Sequence, residues 1–341
     1  GTSSTSAATS TPGTEDSGTP EQPVGYDPSI EHKLILGDVN IPGIIVLDLN
    51  KCTSANWSDL KDSKALVWEW NPRTSSGCSY WSINGMSDAK YRWSEYYQKY
   101  VVIACNSRGW VGIIDYNTKA TLWQVTNETD VHSVEMMPNG DLVVICSGGS
   151  NIENGYVRYF PLSQNNGAKT YSSTYAFKSG HGVCWDPERN ILWALGWDGV
   201  RGYIVRDYGT TNAQLVHIKS INFPSQDING HDLSPVYGQP GKYWITANSY
   251  IWQFDAATET ITRSYSNYGT VTGAAAKGVA NFEDGTVVVS RPDGTGNQTW
   301  LTTNLYITKI NSTGTATKTT VSFAGTGRQF YKVHTFSADY Q

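Results

Sequence analysis

The chain of 341 residues carries little charge, few cysteines and no long apolar run. Each shortage removes a class of protein. No stretch of 18 or more apolar residues occurs, so the sequence encodes no helix able to cross a membrane. Only 16% of residues are charged, the formal net charge is −5, and no basic run appears. A nucleic-acid binder needs a basic footprint, so nucleic acid is excluded as a partner. Five cysteines in a chain this long make no disulfide scaffold, and no CxxC or other zinc-type spacing is present. Cys52 and Cys78 fall in Gly/Ser-rich loop sequence and are placed to form at most one bridge. Cys105, Cys146 and Cys184 lie in apolar strand patterns, where cysteine acts as a small buried hydrophobe. GxGxxG and GxSxG are absent, and RPDGTGNQ from Arg291 lacks the acidic series of a calcium loop. The first residues show neither the charged start nor the apolar core of a signal peptide, as in a processed form.

What the chain has in excess is aromatic: 13 Trp and 21 Tyr, enough to fill a large core and still leave rings for a binding surface. Residues 1–28 read as a disordered linker, because Ser, Thr and Pro dominate and too few apolar side chains exist to pack. The folded domain is expected over 29–341. N-x-S/T sequons begin at Asn56, Asn127, Asn297 and Asn311. Together with the linker they point to secretion and an extracellular location.

One unit recurs about every 40 to 50 residues, the period of propeller blades. Its clearest copies are HSVEMMPNGDLVVICS from His132, HGVCWDPERNILWALG from His181, HDLSPVYGQPGKYWITAN from His231 and KGVANFEDGTVVVSRP from Lys277. The runs are rich in Val, Ile, Trp and Tyr, bounded by Gly, Asn, Asp and Pro, and without helical periodicity. Third strands follow in each unit, as in GWVGIIDYN and YIWQFDAAT. The first unit, KLILGDV, GIIVLDLN and ALVWEWN, lacks a first strand, and YKVHTFSADYQ from Tyr331 supplies one. Joining them closes a ring and protects the strand edges. The expected fold is therefore an all-β propeller of six blades, or seven if residues 71–88 hold further strands.

His132, His181, His231 and His334 are read as occupying one place in the repeat, at the start of each first strand, with Lys90 and Lys277 filling the two other places. First strands line the central channel, so these groups should converge in a common pocket and serve as catalytic residues. Loops between second and third strands should bring Asn106, Arg108, Trp197, Arg201 and Arg291 to the same rim as substrate-binding groups, with Tyr331 and Arg328 from the segments between blades. Cationic and proton-transferring groups gathered in an acidic protein suit an anionic ligand or a bound divalent metal (Mn, Zn, Ca or Cu) held by His132, His181, His231 and His334. Asp232 is placed to orient a ring histidine, Asp186 to form a turn, and His32 and His217 to lie at the surface or in an outer strand.

HGVCWD with ILWALG, followed by GHDLSPVYGQPGKYWITANSYIWQFD, resembles a family of largely uncharacterised secreted bacterial and fungal β-propeller proteins, over roughly residues 30–341. The Ser/Thr/Pro segment is similar to linkers of secreted fungal polysaccharide-degrading enzymes. A propeller with inward histidines is similar, at the level of the fold, to polysaccharide lyases of the oligogalacturonate lyase type, which use histidines to hold a metal or move protons. The cationic pocket, beside this fold-level similarity, leads to the expected function: a monomeric carbohydrate-active enzyme that cleaves a uronic-acid-containing polysaccharide or oligosaccharide by β-elimination. Two other readings stand beside it: a noncatalytic, lectin-like propeller, and a metal-dependent hydrolase or redox enzyme.

Overall fold

A computed structural model describes residues 25, 27–52, 62, 64–79, 85–224, 227–263, 276–311 and 313–341. The segment expected to be a linker lies almost wholly outside these residues. So does the Asn56 sequon.

Six four-stranded antiparallel sheets form a six-bladed propeller. Blade one joins β1 (Lys33–Asp38), β2 (Gly43–Asp48) and β3 (Leu66–Trp70). Blade two runs from β4 (Met86–Ser94) through β5 (Lys99–Asn106) and β6 (Val111–Asp115) to β7 (Thr121–Val125). Blade three holds β8 (Val131–Met136), β9 (Leu142–Cys146), β10 (Tyr156–Phe160) and β11 (Ser173–Ala176). Blade four holds β12 (Gly182–Asp186), β13 (Ile191–Leu195), β14 (Gly199–Arg206) and β15 (Gln214–Asn222). Blade five holds β16 (Asp232–Pro235), β17 (Lys242–Thr246), β18 (Ile251–Asp255) and β19 (Thr260–Arg263). Blade six holds β20 (Gly278–Asn281), β21 (Val287–Ser290), β22 (Asn304–Ile310) and β23 (Ala316–Ser322). The inner strand of blade one is β24 (His334–Thr335), which pairs with β1 through Ile35↔His334 and Leu34↔Thr335. The ring thus closes through YKVHTFS as expected. Residues 71–79 form turns, and the last residues of the 71–88 segment begin β4.

The central residues of the second strands are apolar because both of their faces are buried. In β9, Leu142, Val144 and Cys146 pack toward blade two, while Val143 and Ile145 pack toward blade four. Side chains that alternate across a strand feed two interblade cores at once. The same alternation in β13 sends Trp193 and Leu195 to blade five and Leu192 and Ala194 to blade three. Cys52 packs with the core between blades six and one, and its thiol donates to the Asp48 carbonyl at 3.5 Å. Cys78 packs with the core between blades one and two, so the expected Cys52–Cys78 bridge is not formed. His32, expected near the surface, is fully buried and bonds Asp284 at 2.8 Å.

Candidate functional site

The inner strands surround an axis, and their side chains divide it into an open cavity and a lower section of buried ion pairs that leaves only a small cavity of about 20 Å³ beside Lys90, Arg92 and His334. The register decides which residue faces which. His181, His231 and Lys277 each immediately precede the first rung of their strands, and their amides donate to Leu195, Thr246 and Ser290 at the ends of the second strands. These three are equivalent. His132 reaches the same level through a bulge between Val131 and Ser133.

Of these, His132, His231 and Lys277 line a cavity of about 290 Å³, together with Val39, Gly85, Met86, Ser87, Ser107, Asp130, Trp300, Leu301 and Tyr331, while His181 is buried between the other two histidines. The imidazoles form an arc. His132 stacks on His181 with ring centroids 4.0 Å apart, and His181 meets His231 edge-on at 5.5 Å. At one end, Lys277 Nζ lies 2.8 Å from His231 Nε2, so the ammonium donates to a neutral imidazole. At the other end, His132 Nε2 lies 3.4 Å from Asp130 Oδ1. Tyr331 stands beside both, its ring 5.7 Å from that of His132 and 5.9 Å from Lys277 Nζ.

Burial sets the charge states. It lowers Lys277 to about 8, within reach of a base working near neutral pH. Burial and the Lys277 charge hold His231 well below the usual histidine range. Burial, with His132 and His231 beside it, does the same to His181, whose Nδ1–H donates to the Ser179 carbonyl at 2.8 Å. Burial pushes Asp130 up, but hydrogen bonds from His132 and Ser147 outweigh it and leave the carboxyl below its usual range. Burial raises Tyr331, aided by Asp232 and Asp130, so its phenol keeps its proton.

Below the cavity the axis is filled by ion pairs. Lys332 Nζ donates to the carbonyls of His132 (2.8 Å) and His181 (2.5 Å) and lies 3.3 Å from Asp232. His334 bridges Asp232 (2.9 Å) and Asp88 (3.0 Å). Lys90 donates to the Val183 carbonyl at 2.7 Å and lies 3.7 Å from both Asp88 and Glu135, while Arg92 holds Glu135 with two bonds. The segment 337–341 crosses beneath, with Tyr340 under Arg92 and its hydroxyl donating to the Met136 carbonyl. Lys90 and His334 therefore depart from the expected ring. Lys90 lies opposite Ile103, well inside β4, because that strand starts four residues earlier and bulges between Met86 and Asp88. His334 pairs with Ile35 in the middle of β1.

The expected loop residues also scatter. Asn106 is fully buried and its side-chain Oδ1 accepts from the amides of Arg108 and Trp110, so it shapes a turn. Arg108 is exposed and Ser107 takes its place at the cavity. Arg291 lies over the Tyr306 ring at 4.4 Å. Arg328 bonds Asp38 and Glu69. Arg201 lines a separate groove between blades three and four, and Trp197 lies under that groove's Lys178. Among the described residues no three His, Cys, Asp or Glu side chains are arranged to hold a metal ion. The histidines stack in a row and do not converge on a point. Sequence reasoning missed Asp130, Lys332 and Trp300; the first two sit two positions before His132 and His334, and Trp300 lies in an irregular loop.

The chain belongs to DUF6528, a family of unknown function. The DUF6528 match covers residues 48–308 and so includes Asp130, His132, His181, His231, Lys277 and Trp300, while Tyr331, Lys332 and His334 follow it. No curated protein matches the chain.

Proposed function

We propose that the cavity is the active site of a secreted carbohydrate-active enzyme, a lyase that acts on a uronic-acid-containing saccharide by proton abstraction and elimination. The observation that carries this reading is the Lys277–His231 contact at 2.8 Å in an open cavity. A lysine lowered to about 8 has an accessible neutral amine, and the adjacent neutral imidazole cannot repel it. In the elimination, Lys277 Nζ takes the C5 proton, the C–H electron pair forms the C4–C5 double bond, and the C4–O bond breaks. Tyr331, whose phenol keeps its proton, gives that proton to the leaving oxygen. Arg108, Arg201 and Arg291, expected as substrate-binding groups, do not line the cavity, so the cation there that can face the uronate carboxylate is Lys277 in its protonated form. Trp300, 49% exposed at the rim, offers an aromatic face for a sugar ring. The sequons at Asn127, Asn297 and Asn311 are all exposed, in keeping with secretion.

The exposed Trp300 also suits a second reading, a lectin-like propeller without turnover. The two separate in one assay. Uronate-containing oligosaccharides incubated with the protein should yield an unsaturated, ultraviolet-absorbing product, and Lys277→Ala should abolish it. Saturable binding with no product, unchanged in Lys277→Ala, overturns the lyase reading in favour of the lectin.

A further inference from the structure

Arg201 belongs to a second cavity, and Trp197 lies behind its Lys178. A groove of about 200 Å³ between blades three and four is lined by Tyr175, Lys178, Asp198, Arg201, Tyr203 and His217, among others. Arg201 donates to Asp198 Oδ1 at 2.7 Å and to its neighbour's carbonyl, Val200, at 3.0 Å. Lys178 pairs with Glu153 at 2.5 Å and stands over the Trp197 ring at 5.4 Å. His217 Nε2 donates to the Lys219 carbonyl at 2.8 Å. Tyr175, 39% exposed, meets buried Tyr203 edge-on at 5.2 Å.

Two cations face two exposed carboxylates, so the groove does not select for charge. What it offers is donors and acceptors side by side next to an exposed aromatic ring. Vicinal hydroxyls of a sugar both donate and accept, and the C–H face of the ring stacks on tyrosine. We infer that this groove is an accessory saccharide site that holds a neutral sugar unit through the Arg201–Asp198 pair and Tyr175. Its position fits a chain longer than the central cavity. Lys178 is three residues from His181, at most about 10 Å of backbone. Trp197 lies between the two sites, its amide donating to the Lys178 carbonyl and its carbonyl accepting from Asn229, two residues before His231. The inference rests on the saccharide reading of the central cavity but not on turnover.

The test is native affinity electrophoresis in gels containing polygalacturonate, glucuronoxylan or mixed-linkage glucan, at low and high salt. The wild type is compared with an Arg201→Ala, Tyr175→Ala variant, with Arg201→Lys and with Lys277→Ala; circular dichroism checks each fold. The double variant should bind its polysaccharide at least about tenfold more weakly, the loss should persist in high salt, and Arg201→Lys should fall between. Turnover of short oligosaccharides should stay unchanged. A double variant retarded like the wild type, with Lys277→Ala released, overturns this inference alone. Groove-dependent retardation without turnover by the wild type overturns the lyase reading alone. A wild type retarded by none of the gels, or only through a salt-sensitive attraction, overturns the accessory site.

Discussion

Closure of the ring depends on a strand of two residues, so the ion pairs of His334 should matter more to stability than its backbone pairing. Burial disfavours the charged imidazole, but Asp232 and Asp88 outweigh it and raise His334 to about 9. A folded-state value above the unfolded one stabilises the fold fully below about pH 6.5, and that contribution is lost as pH rises through 9. The full effect is about 3 kcal/mol, with a slope of about 1.4 kcal/mol per pH unit inside that window. Between pH 6.5 and 8 the wild type should therefore lose about 2 kcal/mol that a His334→Gln variant, lacking the titrating group, does not. Lys277 acts with the opposite sign: lowered to about 8, it adds stability as pH rises above that value. Because the variant keeps Lys277, the difference between the two proteins isolates His334. Thermal melts at several pH values should show the gap in Tm narrowing by about 2–3 °C between pH 6.5 and 8. A gap that stays constant across that range would refute a protonated His334 in the folded state.

Three further outcomes follow from single contacts. Lys332→Met leaves Asp232 with one partner fewer and strips a donor from two buried carbonyls, so denaturant unfolding should report a loss of about 3–5 kcal/mol. Gly109 has φ +98° and a Cβ there would lie 2.2 Å from the Glu128 carbonyl oxygen, so Gly109→Ala should cost about 2 kcal/mol or more in the same assay. Trp300→Ala removes a half-exposed ring at the rim, so saccharide affinity should fall while Tm shifts by less than about 2 °C.

The blade pattern was legible in the sequence because second strands buried on both faces read as unbroken apolar runs, and because the missing strand of blade one reappears in YKVHTFS. The equivalence of His181, His231 and Lys277 was legible for the same reason, since each directly precedes a first rung. Where a bulge intervenes, spacing fails: the bulge in β4 hides how deep Lys90 lies, and β24 is too short to display its own register. Lys332 was overshadowed by His334 two residues later, although it carries the contacts that tie the lower section to the histidine strands. The arginines were misplaced because loop residues follow no period, and local partners such as Asp198 and Tyr306 decide where they settle.

The central claim is that Lys277 acts as a base, and the rate of unsaturated-product formation as a function of pH tests it most directly. A base lowered to about 8 predicts a rate that climbs through pH 7 to 9 and then levels, with the climb lost in Lys277→Ala. A rate that is flat or falling across that range, or a Lys277→Ala variant with the wild-type profile, would contradict it.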